Sequence, residues 1–364
     1  MPMSLKASCS INLGFPYHQY KTPVESLLCL SSFLIELKEN GTEINTEFGN
    51  DHGASLLEDK MAKLLGTEAS LWLPTGVLAQ GIAARIHGEQ TNSDQLLLHP
   101  SSHLLLHEEQ GYDHAHGCSA KLIGKWREPL TSDDISGESG CAFIELPQRH
   151  SGGKLPNWNE LQGLKKRCKT LGIPLHMDGA RLWSCRPFYD NRSYADIVAG
   201  FDSVYVSFYK DIGAMGGAAL AGSQEFIDEA RKWRTRLGGF SVGSWPLIYD
   251  ALHLIDKRIK QMPAFIEKSK DMADAIKNIS DLRVDPVIPH TNLFHILLDA
   301  SSDKAIFARD KIARDKGIWL SDRFWDYETP NSCAMEFVVG EKAFAITNQT
   351  FVNAMVQFVN VLRS

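Results

Sequence analysis

Two short apolar runs in this chain end in reactive groups. Leu175-His176-Met177-Asp178-Gly179-Ala180-Arg181 closes on a carboxylate, and Asp202-Ser203-Val204-Tyr205-Val206-Ser207-Phe208-Tyr209-Lys210 closes on an amine. An acid and an amine at the ends of successive buried strands suit pyridoxal 5'-phosphate (PLP). The acid faces the pyridine nitrogen, and the amine holds the aldehyde as a Schiff base. Charge pairing with Asp178 keeps the ring nitrogen protonated, so that the ring withdraws electrons from a substrate Cα. Taken alone, Asp178 before Gly179-Ala180 is more often a helix cap, and Lys210 a lysine snorkelling from a strand end. Their spacing reverses that preference, and Gly213, Gly216 and Gly217 leave room for a flat cofactor.

Other groups join them. Thr75-Gly76-Val77 lies at a strand-to-helix turn, where backbone N–H groups and a hydroxyl bind phosphate; the plain alternative is an N-cap threonine. Ser207 is a second candidate phosphate ligand or else a half-buried strand serine. His103 is placed to stack on the pyridine face and relay protons. Its surroundings are histidine-rich (His99, His103, His107, His114, His116), but no HExxH pattern and no third ligand accompany His103 and His107, so no metal site is expected. Arg181 suits a substrate carboxylate or the cofactor's phenolic oxygen, against a surface ion pair as the plain reading.

These groups need a scaffold. Apolar runs at 69–73, 95–98, 142–146, 174–177, 203–207 and 218–221 read as strands, and 26–38, 56–65, 77–86, 158–171 and 194–197 as helices. Alternating strands and helices predict an α/β fold with a mostly parallel, doubly wound sheet and the ligand at the strands' carboxyl ends. From about 262 the pattern changes to helix 264–279, strand 292–297, helix 304–316, strand 335–339 and helix 348–362, a smaller α+β lobe. The expected division is an N-terminal segment 1–45, packing on the small domain or a dimer partner, a cofactor-binding domain 46–255 and a small domain 256–364. The 364 residues carry a net charge of −6, which argues against nucleic acid as partner. No apolar stretch approaches the roughly 20 residues that span a bilayer, and no signal-peptide core is evident. Seven scattered cysteines without a CxxC pair predict reduced thiols in a cytoplasm.

The run His176-Met177-Asp178-Gly179-Ala180-Arg181-Leu182-Trp183 resembles the acid motif of the threonine aldolase / aromatic amino acid β-eliminating lyase family, of PLP fold type I. The likeness continues through Ala199-Gly200-Phe201-Asp202-Ser203-Val204 to Lys210 and Gly213-Ala214. It also covers Phe48-Gly49-Asn50-Asp51, Leu57-Glu58, Pro74-Thr75-Gly76, His103, 223–226 and Leu237-Gly238-Gly239. The resemblance implies that Lys210 binds PLP covalently, Asp178 pairs with the ring nitrogen and His103 stacks on the ring. It also implies that Thr75, Gly76 and Val77 hold the phosphate, that Arg181 binds the substrate carboxylate, and that the protein is a homodimer or homotetramer.

The chain departs from the family in places. Tyr209 replaces the usual serine before the lysine, and Phe240-Ser241 the usual Met-Arg. Pro147-Gln148 replaces a Thr-His whose histidine helps read the substrate hydroxyl, and the C-terminal carboxylate-binding arginine is missing. Gln148, Arg149 and Arg323 are the nearby substitutes. The expected activity is an aldehyde-lyase that cleaves a β-hydroxy-α-amino acid to glycine and an aldehyde. A β-eliminating lyase or other amino-acid-transforming PLP enzyme is the alternative, raised by Gln148. A non-catalytic PLP-fold protein is the third, raised by the missing arginines.

Overall fold

The computed structural model describes residues 4–14, 18, 21–44, 52–137, 139–240, 242–326, 329 and 331–364. It divides into two units, Lys21–His150 with Leu155–Lys260, and Met1–Tyr20 with Ser151–Lys154 and Gln261–Ser364. In the larger unit, helices α1 (Pro23–Glu39) and α2 (His52–Leu65) precede the sheet. The Phe48-Gly49-Asn50-Asp51 match lies outside the described residues.

Seven strands build that sheet: β1 (Ala69–Leu73), β2 (Gln95–Leu98), β3 (Ser119–Leu122), β4 (Cys141–Glu145), β5 (Leu175–Gly179), β6 (Ser203–Ser207) and β7 (Ala218–Gly222), in the order β1-β7-β6-β5-β4-β2-β3. β2 to β6 pair in parallel, and β7 lies antiparallel between β6 and β1. β1 therefore points the same way as the parallel strands, so Thr75, Asp178 and Lys210 share the carboxyl edge. β4 to β7 are buried along their whole length, which is why they read as continuous apolar runs without alternation. β3, Ser-Ala-Lys-Leu, escapes a reading by hydropathy because it is a half-exposed edge strand carrying a lysine.

Helix α3 (Gly76–Thr91) starts where the Thr75 side chain accepts the Leu78 N–H, and it buries Ala79, Ile82, Ala83 and Ile86 in the core. Helix α4 (Trp158–Leu171) opens on an Asn157/Glu160 capping box and ends at Gly172, whose φ of 66° takes the left-handed stop. Helix α5 (Gln224–Arg236) follows β7.

Helix α6 (Trp245–Ile276) runs unbroken through Pro263. The sequence suggests a helix only from 264, because proline removes an N–H and crowds the preceding turn. Burial of Ile248, Ile255, Met262 and Ile266 carries the helix across. The expected boundary at 255/256 lies within this helix, as does the division between the two units at 260/261. The expected N-terminal segment is also shared: α1 groups with the larger unit and the first twenty residues with the smaller.

In the smaller unit, β8 (Leu282–Asp285), β9 (Leu293–Leu298), β10 (Phe324–Asp326) and β11 (Cys333–Val338) form an antiparallel sheet ordered β10-β11-β9-β8. Helices α7 (Ser302–Lys316) and α8 (Asn348–Arg363) complete it. Among the described residues, no helix is long and apolar enough to cross a membrane, and all seven cysteines are free.

Glu58 ties α2, β1 and α5 together. Its carboxylate accepts the Trp72 N–H at 2.8 Å and the Arg231 guanidinium at 2.6 Å, and its carbonyl accepts the Ser70 hydroxyl at 2.7 Å. Glu58→Ala strands a buried backbone N–H, so a loss of about 2 kcal/mol is expected. The check is the urea midpoint of unfolding: an unchanged midpoint would show that the sheet does not lean on this carboxylate.

Candidate active site

Five strand ends supply the site. Thr75 and Gly76 follow β1, His103 follows β2 and Gln148 follows β4. Asp178 lies within β5, and Lys210 follows β6. Asp178 is 3% exposed, and both its oxygens are engaged. Oδ1 accepts the Ala180 N–H at 3.0 Å, and Oδ2 accepts the Gln80 amide at 2.5 Å. It caps no helix: the turn after β5 closes on its own carboxylate, which keeps that group at the sheet edge.

Burial and the Arg181 guanidinium push the Lys210 amine down to about 8, against the pull of Asp178 and Glu145. The opposite happens at Glu145, which faces Asp178 across the β4–β5 register. Burial, reinforced by the Asp178 charge, pushes its carboxyl up to about 8. Glu145 is a residue that sequence reasoning missed. Its Oε1 accepts the Arg149 N–H at 3.1 Å and its Oε2 the Gln148 amide at 3.0 Å. The same Gln148 nitrogen also donates to the Ser101 hydroxyl at 3.1 Å.

His103 Nδ1 lies 2.9 Å from Glu108 Oε1, so a carboxylate orients the ring by accepting its Nδ1–H. Directly before it, the buried Ser102 hydroxyl has no hydrogen-bond partner among the described residues. His107 and His150 face each other with their Nε2 atoms 2.6 Å apart and their rings stacked, so one Nε2 donates to the other. Glu108 and His150 also went unread. Their only signals in the sequence are the histidine-rich stretch and the Gln148 departure, and neither gives a pairing.

Gly76 and Val77 open the first turn of α3. A Cβ at Gly76 would lie 2.0 Å from the Tyr205 hydroxyl, so only glycine fits there. Tyr209, which stands where the family has serine, is hydrogen-bonded to that same Tyr205. Ser207 is fully buried within β6 and donates its hydroxyl to the Ala180 carbonyl at 2.8 Å, the plain strand-serine arrangement. Arg181 and Arg149 are buried in the larger unit. Arg323 belongs to the smaller unit, where it lies 3.5 Å from Glu336.

The chain matches the beta-eliminating lyase family model over residues 41–298 and belongs to that family. Low-specificity L-threonine aldolase 1 of Arabidopsis thaliana is 27% identical over 292 residues, 75% of this chain and 79% of its own. A solved Listeria monocytogenes structure described as an L-allo-threonine aldolase superposes with a TM-score of 0.85 at 33% identity, over 99% of this chain and 98% of its own. A second, from Exiguobacterium sp. and described as an aromatic amino acid beta-eliminating lyase/threonine aldolase, gives 0.84 at 27% identity, over 98% and 97%. The fold is PLP fold type I, with a mostly parallel sheet and a C-terminal antiparallel one.

The lowered basicity of Lys210 has a direct readout. An amine acylates only when neutral, so trace acetylation of Lys210 is expected to rise with pH through a midpoint near 8. An ordinary lysine titrates near 10.4. The same shift makes stability climb from pH 8 upward, because the unfolded chain then holds a proton the native one has shed. A Lys210 midpoint above 10 would mean the amine is solvated.

Proposed function

We propose that this chain is a PLP-dependent aldehyde-lyase cleaving a β-hydroxy-α-amino acid of the threonine or allo-threonine type to glycine and an aldehyde. One observation carries the reading. An amine held near neutrality and a carboxylate held as a pure acceptor share a sheet edge, in a chain similar over nearly its whole length to a protein described as an L-allo-threonine aldolase.

The residues present fit the cofactor. The turn at Gly76 admits no Cβ, the first turn of α3 offers its N–H groups, and Ser102 keeps an orphaned buried hydroxyl beside His103. Thr75, Gly76 and Val77 would hold the phosphate and Lys210 the aldehyde carbon. Asp178 would face the ring nitrogen and His103 the ring. PLP supplies the electron sink for the pair left on Cα when the Cα–Cβ bond breaks.

The chain's own groups do the rest. Lys210, pushed down to about 8, would offer the cofactor's aldehyde a neutral amine in a large share of molecules near that pH. Arg181 binds the substrate carboxylate, and Arg149, which follows β4 and whose backbone N–H bonds Glu145, is the second candidate for it. His103, with its tautomer fixed by Glu108, takes the β-hydroxyl proton on Nε2, directly or through a water it orients. Loss of that proton lets Cβ leave as the aldehyde carbon.

Gln148 motivates a second reading. Its amide N–H groups are engaged with Glu145 and Ser101, so it presents no imidazole to a β-hydroxyl. β-Elimination from another amino acid follows if the hydroxyl goes unread. The proposal further places the protein in the cytoplasm, supported by its seven free cysteines. It also takes the protein to be a homodimer or homotetramer, supported by the exposed Val24, Leu27, Leu28 and Ile35 of α1.

With PLP and L-threonine or L-allo-threonine, acetaldehyde and glycine are the expected products; ammonia with an oxo acid would move the assignment to elimination. Lys210→Ala should abolish turnover. Asp178→Ala should lower kcat by at least about a hundredfold with a smaller change in KM. Glu108→Gln should lower kcat by about tenfold through a misplaced tautomer. Equal kcat in Asp178→Ala and the native enzyme would remove the ring-nitrogen role.

A further inference from the structure

Behind Asp178 runs a line of buried polar side chains that the proposed reaction does not use. Gln80 on α3 donates its amide N–H to Asp178 Oδ2. Its Oε1 lies 3.0 Å from His176 Nε2, and His176 Nδ1 lies 2.7 Å from Ser203 Oγ. Ser203 Oγ is also 2.7 Å from His87 Nε2, and His87 Nδ1 is 3.2 Å from Gln90 Oε1. Gln80, His176, Ser203 and His87 are each 2% exposed or less, whereas Gln90 is exposed. The line thus leads from the buried cofactor edge of the sheet out to solvent.

Proton counting restricts how such a line is wired. A carboxylate and an amide oxygen only accept, a hydroxyl has one proton, and a neutral imidazole has one donor and one acceptor. If Asp178 is ionised, Gln80 gives it an N–H and turns its oxygen to His176. His176 then carries its proton on Nε2 and accepts the Ser203 proton on Nδ1. Ser203, its proton spent, accepts from His87 Nε2–H, and the bare His87 Nδ1 then requires the exposed Gln90 amide to turn over, so that its NH2 and not its Oε1 faces the ring. A protonated Asp178 would reverse every bond and place both imidazole protons on Nδ1. Burial keeps both rings neutral: it pushes His176 well below the usual histidine range and His87 down to about 4, with Asp202 opposing it at His87. Neither ring, then, supplies two donors.

We infer that Gln80, His176, Ser203 and His87 are positioning residues for Asp178, wired so that every donor along the line points toward its carboxylate and keeps it aimed. The inference rests on the proposed role of Asp178 opposite the cofactor ring nitrogen. Its consequence is specific. Cutting the line should weaken recognition of the ring nitrogen and leave recognition of the phosphate and aldehyde intact.

Two measurements test it. Imidazole ¹⁵N spectra of the PLP-loaded protein, assigned by single histidine replacements, should show His176 and His87 as Nε2–H tautomers. An Nδ1–H tautomer at His176 would overturn the wiring. The second measurement compares dissociation constants for PLP and for its 1-deaza analogue, which has carbon in place of the ring nitrogen. The preference of the native protein for PLP should shrink by about tenfold in Gln80→Met and by a smaller factor in Ser203→Ala, with deaza-analogue binding unchanged. Equal weakening of both ligands would mark a merely structural role and overturn the inference, as would an unchanged preference. Ser203→Ala, two links away and nearly isosteric, keeps the test open if Gln80→Met does not fold. Failure of the native protein to bind PLP would sink the proposed function instead, and the tautomer pattern of the unloaded protein would still decide the wiring.

Discussion

A carboxylate held in the interior is the constraint around which this fold is arranged. Asp178 sits in a central strand, 3% exposed, where an unpaired charge costs several kcal/mol. The backbone turn at Ala180 and the Gln80 amide each supply a donor, and the Arg181 and Lys210 charges act nearby. Each contribution fixes something else. The Ala180 bond sets the turn that places Arg181, and the Gln80 bond sets the rotation of α3, whose first turn is the phosphate candidate. A parallel sheet suits the arrangement because its carboxyl edge gathers Thr75, His103, Gln148, Asp178 and Lys210 from distant parts of the chain.

The same low-dielectric setting acts in opposite senses on neighbouring groups. Asp178 keeps its hydrogen-bond donors. Glu145, one strand over, meets burial and the Asp178 charge together and is pushed up to about 8. Lys210 is pushed down to about 8 by burial and by Arg181. An acid and an amine thus approach each other in proton affinity, which is the condition for moving protons near neutral pH. His103 obtains its direction from Glu108, so orientation and proton affinity are set by different residues.

The parts legible in the sequence were those in which a residue type and a local pattern suffice. Asp178-Gly179-Ala180-Arg181, Lys210 after an apolar strand, and Thr75-Gly76 at a strand-to-helix turn are local signals, and buried parallel strands announce themselves as apolar runs. What the sequence withheld depends on distant partners. The antiparallel direction of β7 is a matter of pairing, and β3 is a polar edge with no periodicity. α6 passes through Pro263 because tertiary burial outweighs a local break. Glu145, Glu108 and His150 acquire meaning only through Asp178, His103 and His107, residues that register and folding bring to them. His176 and Gln80 were in view within legible segments, yet their bond crosses 96 positions of chain.

The departures from the family pattern sort by the same physics. Tyr209, in place of serine, pairs with Tyr205, and the Tyr205 hydroxyl occupies the space where a side chain at Gly76 would stand. The turn proposed for the phosphate and the strand that ends in the lysine are therefore locked to each other through a tyrosine pair and a missing Cβ. Replacing serine by tyrosine there removes one small polar group and adds a rigid strut, which preserves the geometry of the cofactor edge. Gln148 is a different kind of change. Its nitrogen is bound to Glu145 and Ser101, so it holds the β4 end in place. The tyrosine change therefore braces the sheet edge that carries Gly76 and Lys210, whereas the glutamine change reorders the polar contacts at the end of β4.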